Sequence, residues 1–327
     1  MNSRRKLLVA LGAGALAAPF SSFAQQQGKV WRIGFLGIAS VSGYVGEIDA
    51  IRAGLRELGY VEGKNVGIEY RWAESNPGRL KEMAAELVAL KVDVIITHAA
   101  AGTSAAAQAT KSIPIVIADG PDPVAAGFVA SLARPGGNIT GSTAFQTELA
   151  AKRLELLKEV VPRLKRVSVL FNALGAMNAV YFREMEAAAK AMKIELHQFT
   201  VRSPEELPGA FTAMAKKRVG AAVIGEEPLL NSNVDVIAAL TATHRLPAIG
   251  LTTFPDAGGL LGYGANRPLL YSRAASFVDK ILKGARPGDL PIERATKFDF
   301  IINLKTAKML GVKIPQQLLQ RADKVIE

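Results

Sequence analysis

The stretch 92–143, VDVIITHAAAGTSAAAQATKSIPIVIADGPDPVAAGFVASLARPGGNITGST, constrains the fold more than any other part of the chain. Residues 92–97 are a short apolar, β-branched run, the mark of a strand buried on both faces of a parallel sheet. The small run His98-Ala99-Ala100-Ala101-Gly102 follows, then an Ala-rich, helix-forming segment over 103–111 and a second apolar run over 113–118. This is one strand–helix–strand unit, and the right-handed crossover makes its strands parallel. Both strands end in residues unlike a core: His98 with the small run after it, and Asp119-Gly120-Pro121-Asp122-Pro123. Ligands of open α/β sheets collect beyond the carboxyl ends of the strands, where helix N-termini offer free N–H groups. A site for a small polar or anionic group is therefore expected here.

The same rhythm runs along the chain. Strands are expected over 30–38, 66–72 and the two runs above, with helices over 45–58 and 80–90, the first closed by Gly59. The Gly-rich segment 133–141 marks a turn and a crossing to a second lobe. There the pattern predicts helices over 152–160, 178–192, 204–216 and 233–244. Strands alternate with them over 166–172, 195–201, 221–225, 248–251 and 260–263. A long helix over 268–283, a linker over 287–291, a last strand over 298–302 and a helical tail over 306–325 complete the chain. Regular β-α alternation with short connections means doubly wound parallel sheets rather than a sandwich or bundle. Two such lobes make a cleft between rows of strand ends that closes on a ligand by hinge motion.

The first residues read as an address. Residues 2–6 are basic, 7–18 are apolar, and Ser22-Phe23-Ala24 gives small residues for cleavage after Ala24, so 1–24 is a secretory signal peptide. The apolar core is too short to span a bilayer, which takes roughly 20 residues. Ser3-Arg4-Arg5 before Leu7-Leu8 resembles a twin-arginine signal, and an ordinary Sec signal fits equally. The expectation is a soluble periplasmic protein. Loss of Arg4, Arg5 and Lys6 lowers the formal charge from +11 to +8. That charge is spread evenly, with no basic run interleaved with aromatics, so no nucleic-acid partner is expected. The absence of cysteine excludes disulfides, thiolate metal sites and a Cys nucleophile.

Catalytic machinery is hard to find. The histidines are His98, His197 and His244, no two with metal-ligand spacing. There is no nucleophile elbow, Walker loop or dinucleotide fingerprint, so neither a metal nor any cofactor is expected. Asp119 and Asp122 are paired acids at a strand end, suited to acid–base work or to capping a turn. Asp122, before Pro123, fits capping; Asp119 fits either capping or contact with a ligand's amine. Glu226 and Glu227 end another apolar strand, where they meet a cationic group or stand as solvated rim acids.

Three blocks carry a resemblance: IPIVIADGPDPVAAGFVASLARPGGNITGST, LPAIGLTTFPDAGGLLGYGAN, and the C-terminal ILKGARPGDLPIERATKFDFIINLKTAKMLGVKIPQQLLQRADKVIE. They closely resemble the ABC-type solute-binding proteins of the tryptophan/tyrosine-permease receptor kind, in matching order across residues 29–327. The resemblance implies a type I periplasmic-binding-protein fold: two doubly wound parallel-sheet lobes joined by a three-crossover hinge. It implies crossovers near 141–144, 262–265 and 291–297. Lobe 1 would then hold 29–142 plus 265–290, and lobe 2 would hold 143–264 plus 291–327. The helix over 268–283, which order along the chain alone assigns to the second lobe, would return to the first. Departures fall at ligand-facing strand ends. Ala100-Ala101 stands where the family tends to have Thr-Pro, Ala173 where it tends to have proline, and Leu261-Gly262-Tyr263-Gly264 where it tends to have Met-Ser-Tyr-Gly. They argue against carrying an aromatic amino acid over unchanged as the ligand.

The expected function is an exported receptor that captures a small molecule in the inter-lobe cleft, an amino acid with aromatic ones included or a related carboxylate, for an ABC permease in the inner membrane, acting as a monomer. The alternatives are an exported cofactor-free enzyme using Asp119, Asp122 and His98, and a sensory module presenting its ligand to a membrane partner. Candidate contacts are Ala39, Ser40, Tyr44, His98, Ala99, Ala100, Asp119, Phe145, Asn172, Glu226, Thr252 and Tyr263. A ligand carboxylate would meet N–H groups at the helix starts after Ala39 and Ala100. Tyr44 or Phe145 would stack on an apolar part, and Asp119 or Glu226 would meet an amine.

Overall fold

The computed structural model describes residues 29–327 except Ser75, Phe145 and Ala176. The signal-peptide expectation and Phe145 lie outside the described residues. The first lobe is built from β1 (Trp31–Gly37), α1 (Val45–Glu57), β2 (Val66–Trp72), α2 (Pro77–Ala89), β3 (Val94–His98), α3 (Ala99–Ala109), β4 (Ile115–Asp119) and β5 (Ile139–Thr143). The second continues with α4 (Gln146–Val160), β6 (Arg166–Asn172), α5 (Asn178–Ala191), β7 (Glu195–Val201), α6 (Leu207–Lys216), β8 (Ala221–Ile224), α7 (Pro228–Asn231), α8 (Val234–Thr243), β9 (Ala248–Gly250) and β10 (Leu261–Ala265). The chain ends with α9 (Arg267–Leu282), β11 (Glu293–Arg294), β12 (Phe298–Asn303), α10 (Leu304–Leu310), α11 (Gln316–Arg321) and β13 (Lys324–Ile326).

The strands form two sheets, ordered β11-β5-β4-β3-β1-β2 and β13-β12-β10-β9-β8-β6-β7. Pairing is parallel throughout the first. In the second, β12 runs antiparallel to β10, a departure from the all-parallel expectation. Each sheet is covered on both faces because its strands are apolar at successive positions. Ile33, Phe35, Val94, Ile96 and Val116 face one layer of the first lobe, where α1 and α9 pack. Leu36, Ile95, Ile115 and Ile117 face the other, against α2 and α3. Val167, Val169 and Val223 divide from Leu170, Ala222 and Ile224 in the same way in the second lobe. Each such fully buried aliphatic or aromatic side chain contributes roughly 1.5–3 kcal/mol.

Residues Trp31–Glu327 form one compact unit. The chain passes between its two sheets after β5, after β10 and between β11 and β12. Gly141, at φ +130, lies within β5 opposite Ile117 of β4, and a Cβ there would sit inside the Ile117 backbone. The long helix α9 packs against α1 and β4, in the first lobe. Residues 293–294, assigned to the second lobe from the resemblance, instead pair with β5 in the first sheet. The tail also differs from its reading. Gly311 at φ +68 and Pro315 break the helix expected over 306–325 into α10 and α11, and Lys324–Ile326 pairs with β12 as an edge strand. The helix expected over 103–111 starts four residues sooner, at Ala99, directly on the end of β3.

Candidate functional site

The carboxyl ends of β3 and β4, the start of α9 and the ends of β6 and β8 enclose a cleft of about 580 Å³ between the lobes. Its first-lobe wall is built on a β3–β4 pair whose register shifts after Thr97, setting His98 opposite Asp119. Ala99 then adopts φ +53, and the chain turns at once into α3. His98 occupies the N-cap position without a side-chain cap, so the first-turn N–H groups of α3 stand at the cleft beside Ala99, Ala100 and Ala101.

His98 itself is committed elsewhere. Its ring packs on Tyr44 at a centroid distance of 4.5 Å, and its Nε2 accepts from Ile38 N at 3.4 Å. Burial, with Arg267 nearby, pushes its pKa down to about 3, so the imidazole is neutral. Beneath the wall lies Arg267, the first residue of α9, whose helix is capped by the Asn266 side chain accepting from Leu269 N at 2.9 Å. Its guanidinium lies over the Tyr44 and Tyr271 rings at 5.1 and 5.8 Å. Arg267 Nε lies 3.1 Å from Glu47 Oε1 and 4.0 Å from Asp119 Oδ2. Asp119 Oδ1 is buried with no hydrogen-bond partner. Burial raises the Asp119 pKa to about 6, against the lowering pull of Arg267.

The second-lobe wall is acidic. Glu226 pairs with Arg153 of α4, and Arg153 also donates from Nε and Nη2 to the Tyr263 carbonyl at 2.8 and 2.6 Å. Among the described residues Glu227 has no such cation. Both its carboxylate oxygens are buried without a hydrogen-bond partner, and burial raises its pKa to about 8 despite the nearby N–H groups of Asn172 and Glu227. The Tyr181 phenol is pushed up by burial and then by Glu226, Glu227 and Asp119. At the mouth the lobes meet: a methyl on Gly43 would lie 2.9 Å from Ser232 Oγ and 3.3 Å from its Cα.

Of the expected contacts, Tyr44, His98, Ala99, Ala100, Asp119, Asn172 and Glu226 line this cleft. Ala39 is instead buried in the first-lobe core, and Ser40 precedes the 3₁₀ turn Val41–Tyr44 without lining the cleft. Thr252 is buried away from the lining, and the Tyr263 ring stacks on Phe298 at 6.3 Å, leaving only its carbonyl near the site. Tyr44 is 1% exposed, which leaves little of its ring for stacking. Asp122 caps a turn, Oδ1 accepting from Val124 N at 2.8 Å and Ala125 N at 3.2 Å. Sequence reasoning missed Arg153, Arg267, Tyr181 and the asparagines Asn178 and Asn231. An Asn-Arg-Pro start to a long helix directly after a strand end was the available signal for Arg267. Among the described residues no cluster of His, Cys, Asp and Glu has the geometry to hold a metal ion.

The sequence model of one family, described as ABC transporter substrate binding protein, matches residues 33–326. The chain belongs to that family. A tyrosine-binding protein of Clostridioides difficile (strain R20291) is 26% identical over 260 residues, 79% of this chain and 74% of the relative. The ABC domain from Streptococcus pneumonia, solved in complex with L-Trp, is 27% identical with a TM-score of 0.83, covering 90% of this chain and 99% of that one. A conserved domain protein from Vibrio cholerae gives 27% identity and a TM-score of 0.85, covering 91% and 100%. This substrate-binding protein has the type I periplasmic-binding-protein fold and is a receptor for a small solute. No helix among the described residues is long and apolar enough to cross a membrane.

Proposed function

We propose that this substrate-binding protein is an exported, monomeric receptor that captures an α-amino acid and delivers it to an ABC permease in the inner membrane. The observation that carries the ligand class is the cleft's uneven charge. Its first-lobe side offers the free N–H groups of α3 and the Arg267 guanidinium, a seat for a carboxylate. Asp119 from that lobe and Glu226 from the other face the same space, a seat for an ammonium group. Acids on opposing lobes repel when the cleft closes empty, and an ammonium between them converts that repulsion into attraction. Ligand-driven closure follows. The apolar part of the ligand would lie against Phe128, Leu174, Met177 and Tyr181.

A receptor is favoured over an enzyme because the groups suited to acid–base work are otherwise engaged: Asp122 caps a turn and His98 is buried and neutral. The relatives that bind tyrosine and tryptophan support the amino-acid class. A thermal-shift screen of protein unfolded and refolded to strip carried ligand tests the reading. A ligand at 100 times its dissociation constant adds about 2.7 kcal/mol of stability. Amino acids are expected to raise the melting temperature by several degrees and to be recovered unchanged. Hits confined to sugars or nucleosides, or a hit that is consumed, would contradict it.

A further inference from the structure

One wall of the cleft holds more hydrogen-bond acceptors than a neutral amino acid can use. Asp119 has Arg267 and Glu226 has Arg153, but among the described residues no Lys or Arg lies within ion-pair distance of Glu227. Two buried amides stand on the same wall. Asn178, 8% exposed, gives its Nδ2 to the Asn172 carbonyl at 2.7 Å, which identifies the other atom as Oδ1, and that oxygen has no partner. Asn231, also 8% exposed, likewise has an Oδ1 without a partner. Glu227, Asn178 and Asn231 all line the cleft. The two amide oxygens can only accept and have no donor, and the Glu227 carboxyl, holding its proton in the unliganded protein, would ionise only beside a cation; buried acceptors without donors are costly.

We infer that Glu227, Asn178 and Asn231 form a subsite for a cationic, donor-rich group on the ligand's side chain, an ammonium or guanidinium, so that the cargo is a basic amino acid. Such a group brings three or more N–H donors and the positive charge that Glu227 lacks. An indole or phenol offers one donor and no charge, so Glu227 would stay protonated and the amide oxygens would stay largely unmet. The inference rests on the amino-acid reading above, with Asp119 and Glu226 holding the α-ammonium.

Isothermal titration of the refolded protein with L-lysine, L-arginine, L-leucine, L-tyrosine and L-tryptophan tests it. L-lysine or L-arginine is expected to bind at least ten-fold more tightly than the three neutral amino acids. Glu227→Gln, which keeps shape and cannot ionise beside a bound cation, is expected to cancel that margin. Asn231→Leu, with the fold verified by circular dichroism, is expected to narrow the same margin. Binding of L-leucine, L-tyrosine or L-tryptophan as tight as that of either basic amino acid would overturn the subsite and leave the amino-acid reading standing. So would an equal loss for all ligands in Glu227→Gln. Binding of none of the five would overturn both.

Discussion

Gly43 and Ser232 show how little room closure leaves. They come from opposite lobes, and the space a Cβ on Gly43 would occupy is already within 2.9 Å of Ser232 Oγ. Gly43→Val should therefore hold the lobes apart, weakening ligand binding at least ten-fold in calorimetric titration while leaving the unliganded melting temperature unchanged. Ser232→Gly in the same chain should restore part of the loss; no restoration would mean that residue 43 acts through its own turn instead. At this scale the sequence was partly legible. Tyr44, His98 and Asp119 sit at strand and helix ends, where local pattern reveals them. Glu226 and Glu227 were legible at a strand end too, whereas Arg153 and Arg267 were not so placed by pattern. A buried arginine is defined by partners far along the chain, Glu226 for Arg153 and Glu47 for Arg267, and no spacing rule reports such pairs.

At the scale of elements, α9 is the piece whose position decides the site, because it carries Arg267 from one lobe's sheet into the other lobe's core. Order along the chain assigned it to the second lobe. Its residues Leu270, Tyr271, Ala274, Ala275 and Val278 pack with the α1 side of the first sheet, an apolar match that periodicity describes without naming the partner. Arg267 joins α9 to Glu47 of α1. Arg267→Met should cost about 3–5 kcal/mol in urea unfolding, since it strands Glu47 and Asp119 as buried acids. A loss below about 1 kcal/mol would mean that water reaches both. The tail was misread for a related reason: 324–326 is a strand only because β12 offers it an edge.

Across the whole molecule, the raised acids and the depressed histidine give stability a distinctive pH dependence. With a folded pKa of about 8 against an ordinary 4.5, Glu227 keeps a proton that the unfolded chain releases, so stability present at low pH is lost as pH rises toward 8. Asp119 acts in the same direction, but only up to about pH 6. His98, lowered from 6.5 to about 3, works oppositely, and stability is lost as pH falls below 6.5. Between pH 6.5 and 8 the Glu227 slope alone remains of these three, at most about 1.4 kcal/mol per pH unit. The unliganded melting temperature should fall across that window in the wild type and stay level in Glu227→Gln; a level wild type would mean that Glu227 is solvated. The central claim is that acids from two lobes close on an ammonium group. Its most direct test is calorimetric titration of the tightest-binding amino acid into refolded wild type and Asp119→Asn at pH 8. Charge-assisted bonds contribute roughly 1.5–3 kcal/mol, so the variant should bind at least ten-fold more weakly while melting no lower than the wild type. Equal affinity in the two proteins would contradict the account, leaving Asp119 as a partner of Arg267 alone.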